Sequence, residues 1–156
     1  MTLSYTEYQE IAANIRPNGQ AFIDGKFCDA ADGQKFDTTN PATRQVLASV
    51  AHCKAVDVDR AVIAARRVFN AGTWSRAEPE ARKEVLLKVA ALVRKHTHEL
   101  AVLESLDTGK TINDCMDEIG GEVVNFFQWY AELADKSFGK IAPTGLSALA
   151  LIVKEP

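Results

Sequence analysis

Hydrophobic and polar positions along this chain follow a period of two through residues 20–51 and a period near 3.6 from residue 57 onward, so it reads as a β-rich opening followed by helices. Ahead of both, Tyr5, Tyr8, Ile11 and Ile15 stand at weakly helical spacing before Pro17, which predicts a short helix or loose arm over residues 1–17. Ala21-Phe22-Ile23 and Lys26-Phe27-Cys28 flank Asp24-Gly25. Asp-Gly between short apolar runs predicts a hairpin, because both central residues of a type I′ turn need positive φ. After Asp32-Gly33, Lys35 and Phe36 open a strand that Asn40-Pro41 stops, and residues 45–51 alternate well enough to form another.

The helical part contains three apolar stripes. Val58, Val62, Ala65 and Phe69 define the first, with Asp57 expected as its N-cap and Gly72 just past its end. Glu78-Pro79 opens the second, a long helix carrying Val85, Val89, Leu92, His96, Leu100 and Leu103 on one face until Gly109. The third runs from about residue 112 to 137 through Ile119, Val123, Phe126, Phe127, Tyr130 and Leu133. Gly120-Gly121 interrupts it at about 1 kcal/mol per glycine relative to Ala, so the pair predicts a kink or a close backbone approach. Residues 141–142 and 149–153 then read as two strands around Pro143-Thr144-Gly145. The fold class is α+β: an N-terminal hairpin and strands, three amphipathic helices and a C-terminal β arm.

Composition narrows the partners. The chain has 156 residues, 47% hydrophobic and 25% charged, which is the composition of a globular domain. Eighteen Lys and Arg against 21 Asp and Glu give 18 − 21 = −3, so there is no basic field to hold nucleic acid or anionic lipid. The longest apolar stretch, around residues 148–153, is far short of the roughly 20 residues that span a bilayer, and no membrane or export segment is expected. Cys28, Cys53 and Cys115 are three, widely spaced and without a Cys-x-x-Cys, which predicts a reducing, cytoplasmic setting.

Asp107-Thr108-Gly109-Lys110-Thr111 carries the Gly-Lys-Thr end of a phosphate-binding loop. That loop needs a glycine where Glu104 stands and a strand leading in, whereas a helix leads in here; Gly109 as a left-handed helix terminus is the expected reading. His96 and His98 are two apart and point to different faces of a helix, so they make no metal pair. His52 and Cys53 are neighbours on a strand and face opposite sides, which argues against an activated thiolate. Cys115, near a helix start, is expected to be a packing residue. The residues by themselves yield helices with a small β attachment and no assembled active site.

Their order, however, resembles the N-terminal part of the aldehyde dehydrogenase superfamily over nearly all of residues 20–156. Phe22-Ile23-Asp24-Gly25 looks like its opening hairpin, Asn40-Pro41-Ala42-Thr43 like its Asn-Pro-Ala-Thr turn, and residues 57–62 like the start of its first helix. Trp74, Arg82 and the run from Leu103 to Lys110 are similar to its tryptophan, arginine and Glu-x-Leu-Asp-x-Gly-Lys signature. Trp129-Tyr130-Ala131, Ala134-Asp135-Lys136 and Gly139 match its third helix and exit. Thr111 stands where the family usually has Pro, at a position suited to a cap or turn. Within the superfamily the stretch looks most like the γ-glutamyl-γ-aminobutyraldehyde dehydrogenase group.

The resemblance implies a parent of α/β aldehyde dehydrogenase fold that oxidises an aldehyde through a thiohemiacetal with NAD or NADP. It divides this chain into an N-terminal arm (1–19), the N-terminal portion of the cofactor-binding domain (20–140) and the first strands of an oligomerisation arm (141–156). In the family, Lys154-Glu155-Pro156 would be followed by the first strand of the dinucleotide-binding sheet, then by the oxyanion asparagine, the Cys nucleophile and the Glu base. No catalytic or cofactor-binding residue is therefore expected here, and the fragment alone is expected to be inactive and to bind no cofactor. A cation site is implied at Thr38 and Thr39, through main-chain oxygens, and at the carboxylate of Asp107. The expected partners are further copies and the rest of the dehydrogenase chain. The alternative is a stand-alone helical interaction module.

Overall fold

The computed structural model describes residues 3–155; the expectations placed on residues 1, 2 and 156 lie outside it. Helix α1 (Tyr5–Asn14) forms because Ser4 and Glu7 cap each other: Glu7 N–H donates to Ser4 Oγ at 3.3 Å, and Ser4 N–H donates to the Glu7 carboxylate at 2.7 Å. Its one buried side chain is Tyr8, whose hydroxyl lies 3.2 Å from His98 Nδ1. The arm is thus a helix packed on the helix that carries His98, with Tyr8 as its buried anchor.

Strands β1 (Ala21–Ile23) and β2 (Lys26–Cys28) pair antiparallel around Asp24-Gly25, whose φ values of 54° and 76° are those of the expected type I′ turn. Strands β3 (Lys35–Thr39) and β4 (Val46–Ala51) form a second hairpin, with a register slip between Thr38 and Thr39. Asn40, buried just beyond that slip, accepts the N–H groups of Ala42 (2.9 Å) and Thr43 (3.3 Å), which is why Asn40-Pro41 ends the strand.

Helix α2 (Ala55–Ala71) starts earlier than expected, and Asp57 is not its N-cap. Lys54 occupies that position; Asp57 sits in the first turn and its carboxylate accepts the Lys54 N–H at 3.1 Å and the Ala31 N–H at 3.0 Å. The carboxylate caps the turn from within and ties the preceding loop to the helix. Gly72 closes α2 at φ 73°.

The expected long second helix is two. Helices α3 (Pro79–Lys95) and α4 (Thr97–Thr108) meet at His96, whose φ of −105° and ψ of 19° are not helical. The Thr97 hydroxyl donates to the carbonyls of Val93 (3.0 Å) and Arg94 (3.1 Å), competing with the backbone at the break. The third helix is also divided, into α5 (Ile112–Asp117), a π-helical turn (Glu118–Val123) and α6 (Val124–Leu133), with Thr111 accepting the Asp114 N–H as N-cap of α5. Both expectations for the glycine pair are answered by one contact: a Cβ on Gly120 would lie 2.9 Å from Thr97 Cγ2, so the wide turn lets the backbone close onto the α3/α4 break.

Strands β5 (Lys140–Ala142) and β6 (Ala150–Ile152) complete a third separate hairpin. The architecture is α+β, as the pattern predicts. Helix α3 packs on α6, and α4 on α1 and α5, around Ala90, Ala101, Val102, Cys115, Val124 and Ala131. That core is made of small side chains, while Phe126, Trp129, Tyr130 and Leu133 along α6 and Val58, Val62 and Phe69 on α2 stay exposed. A large apolar side chain on the surface is ordinary; whole helix faces of them are not.

Candidate functional site

Of the residues expected at the cation site, the structure brings the side chain of Thr38, not a main-chain oxygen, to Asp107. Asp107 sits in the last turn of α4, and its Oδ1 accepts the hydroxyl of Thr38 at 2.8 Å. A Cβ on Gly109 would meet Pro41 Cγ at 2.9 Å, so the end of α4 is pressed against the turn that follows β3. The register slip at Thr38/Thr39 lifts that strand end out of regular pairing beside the carboxylate. A carboxylate, a hydroxyl and the partial negative charge of a helix C-terminus form an environment for a hard cation, not for a soft one. No group of three or more His, Cys, Asp and Glu able to hold a metal occurs among the described residues.

The remaining candidates separate. Lys110 forms an ion pair with Glu118, which raises its pKa, and Gly109 ends α4 at φ 77°, so Gly-Lys-Thr is a helix terminus. His98 meets Tyr8, while His96 Nδ1 lies 2.9 Å from Glu99. The Cys115 thiol is buried and pushed above its ordinary value, first by desolvation and then by Glu104, so it is a packing residue as expected. Cys53 is exposed and its thiol is also raised, by desolvation, then Asp57, then Cys28.

One feature went unread in the sequence: a groove of about 880 Å³ between the β1–β2 hairpin and α2. It is lined by Phe22 to Gly25 of the hairpin, by Ala61, Ala64, Ala65 and Val68 of α2, and by Trp74, Arg82, Lys154 and Glu155. The small residues of α2 at helical spacing were the available signal, since they leave room beside a helix. Arg82 donates to the Ala77 carbonyl at 2.8 Å, and Asp24 pairs with Arg67 across the hairpin–helix gap.

This geometry agrees with the sequence comparison. The sequence model of the Aldehyde dehydrogenase family matches residues 27–156. The chain belongs to the aldehyde dehydrogenase family. It is 49% identical over 154 residues to an aminoacetaldehyde dehydrogenase of Pseudomonas aeruginosa, covering 99% of this chain and 31% of that protein. Over 150 residues it is 44% identical to the NADP/NAD-dependent aldehyde dehydrogenase PuuC of Escherichia coli, covering 96% of this chain and 30% of the relative. The solved γ-glutamyl-γ-aminobutyraldehyde dehydrogenase of Burkholderia cenocepacia superposes with a TM-score of 0.87 at 45% identity, covering 91% of this chain and 29% of that one. The chain thus spans about a third of the length of the aldehyde dehydrogenases it matches. No helix among the described residues is long and apolar enough to cross a membrane.

Proposed function

We propose that this chain is the leading scaffold of an NAD(P)-dependent aldehyde dehydrogenase that converts an aminoaldehyde or its acylated derivative to the carboxylic acid. The observation that carries the reading is the family match over residues 27–156 together with helix faces left uncovered. The printed names of the Pseudomonas and Burkholderia relatives support the substrate class, and that of PuuC supports use of NAD or NADP. In this reading residues 1–19 are an arm, 20–140 the opening of the cofactor-binding domain and 141–156 the start of an arm that joins subunits. The nucleophile, the base and the cofactor phosphates belong to the part that this segment supports. The enzyme is a cytoplasmic homo-oligomer with no nucleic-acid or membrane partner.

The test has two arms. The 156-residue chain, titrated calorimetrically with NAD+, gives no saturable heat and no aldehyde-dependent reduction; saturable micromolar binding overturns the scaffold reading. The longer gene product oxidises aminoaldehydes with NAD+ or NADP+.

Thr38, Thr39 and Asp107 are proposed to hold a hard cation, which would fix the end of α4 against the β3–β4 turn. Potassium or magnesium should raise the unfolding temperature of the native chain over that in a bulky organic cation, and Asp107→Asn should abolish the difference. An equal response in the variant would reject the site.

A further inference from the structure

Residues 15–18 lead from helix α1 toward the β1–β2 hairpin and end at Asn18-Gly19, where Asn18 is the one asparagine of six in the chain that glycine follows. The fold holds both members of the pair. Asn18 Oδ1 accepts the Gln20 N–H at 2.9 Å, which folds this exposed side chain back across the Gly19 peptide. Gly19 O accepts the Ala51 N–H at 2.7 Å, and a Cβ on Gly19 would collide with the Ser49 carbonyl oxygen, so the backbone path admits only glycine there. The Gly19 N–H, by contrast, has no acceptor among the described residues.

We propose that Asn18 is a site of spontaneous modification, where loss of the side-chain amide gives aspartate or isoaspartate and the isoaspartyl form loosens α1 from the helices. A base from solvent takes the Gly19 N–H proton, and the nitrogen attacks Asn18 Cγ. The Cγ–Nδ2 bond breaks, ammonia leaves with a proton from solvent, and a cyclic imide closes between the two residues. Water then opens the imide at one carbonyl or the other. One water is consumed and one ammonia released, with no change in oxidation state. Glycine permits the attack, because a side chain at residue 19 would shield the nitrogen. The Gln20 N–H at Oδ1 stabilises the negative charge that develops on that oxygen. Isoaspartate routes the backbone through the former side chain and so adds one methylene to it. Gly19 is fixed against Ser49 and Ala51, so the added length falls on residues 15–18. Those residues carry α1, whose one buried side chain is Tyr8.

The dilute native chain is aged in neutral and mildly alkaline buffers, its peptides are mapped by mass, and isoaspartate is labelled with protein isoaspartate methyltransferase. Asn18 should lose its amide at least ten-fold faster than any of the other five asparagines, with a rate that rises with pH, and the aged chain should take the label. In the isoaspartyl form, separated by ion exchange, the amides of residues 8–14 should exchange at least three-fold faster than in the fresh chain. Asn18→Ser keeps a hydroxyl to accept the Gln20 N–H but cannot cyclise, so it should age with neither label nor faster exchange. An Asn18 amide that survives in the native chain while the urea-unfolded chain loses it, faster loss at another asparagine, or an isoaspartyl form whose α1 exchanges as before would each overturn the proposal.

Discussion

Asp57 is the charged residue on which most local structure converges. It is 2% exposed, and its carboxylate serves the Ala31 and Lys54 N–H groups, with the Arg60 guanidinium 3.4 Å away. Replacing it by alanine removes the acceptor for both amides and releases the loop before β3 from α2. Loss of partners for buried donors costs about 1–3 kcal/mol per group, so Asp57→Ala is expected to destabilise the chain by roughly 2–4 kcal/mol in urea unfolding. Asp57→Asn, which keeps one acceptor oxygen, should cost less. Other single groups set the pH limits. Asp32 and Asp135 are held below their ordinary value of 3.8, first by hydrogen bonds from Lys54 and Lys136 respectively, and Glu7 is held below 4.5 by Ser4. A depressed carboxylate contributes stability above its unfolded value that is lost as pH falls through the folded one, so stability should decline below about pH 4. Cys115 has the opposite sign. Its thiol is raised above 9.0 by burial, so its contribution is intact below pH 9 and is lost above it, as the unfolded chain ionises first. The stability advantage of the native chain over Cys115→Ala should therefore shrink as pH rises past 9.

Elements were legible in the sequence wherever their signal was local. Asp24-Gly25, Asn40-Pro41, Pro79, Gly72 and Gly109 each fix a backbone angle or remove a donor, and the hairpin, strand end, helix start and helix ends stand where those residues put them. Gly120-Gly121 marked the interruption of the third helix, but the break at His96 carried no signal in the periodicity, and neither did the contact between the two. Thr97 and Gly120 are 23 residues apart and meet only through the fold. The contact gives a paired test of that dependence. An added Cβ at Gly120 meets Thr97 Cγ2 at 2.9 Å, and that methyl cannot rotate away without giving up the Thr97 hydroxyl bonds to Val93 and Arg94. Gly120→Ala is therefore expected to cost about 1–3 kcal/mol. A Cβ at Gly121 meets nothing within 4 Å, so Gly121→Ala should stabilise by up to about 1 kcal/mol through helix propensity alone. Similar effects at the two positions, read by denaturant midpoint, would mean that the π turn is not held by this contact. For the candidate cation site, the residue types came from the family resemblance, and the approach of the Thr38 hydroxyl to Asp107 follows from α4 ending against the turn after β3, which no spacing along the chain encodes.

At the scale of the whole molecule, the distribution of side-chain size governs behaviour. The helices bury alanines, valines and Cys115 against one another, while the large apolar side chains of α2, α6 and the β5–β6 hairpin face outward. Such surfaces are stable only when covered. In an isolated chain of this length the covering available is another copy, and the β5–β6 hairpin is the place where it begins. Among the described residues its two strands pair only with each other, so each retains an unpaired edge of N–H and C=O groups, and Ile141, Leu149, Leu151 and Val153 are all more than 60% exposed. An apolar strand with a free edge is a template for a further strand. The isolated chain is therefore expected to self-associate, with an apparent mass by light scattering that rises with concentration, and amide exchange at Leu151 and Val153 should slow in the associated form. Leu151→Lys places a charge on the outward face of β6 and touches no residue of the helical core, so it should lower the association constant at least ten-fold while the helical circular dichroism stays unchanged. A chain that remains monodisperse at high concentration, or a Leu151→Lys variant that associates as strongly as the native chain, would move the contact away from this hairpin and onto the faces of α2 and α6.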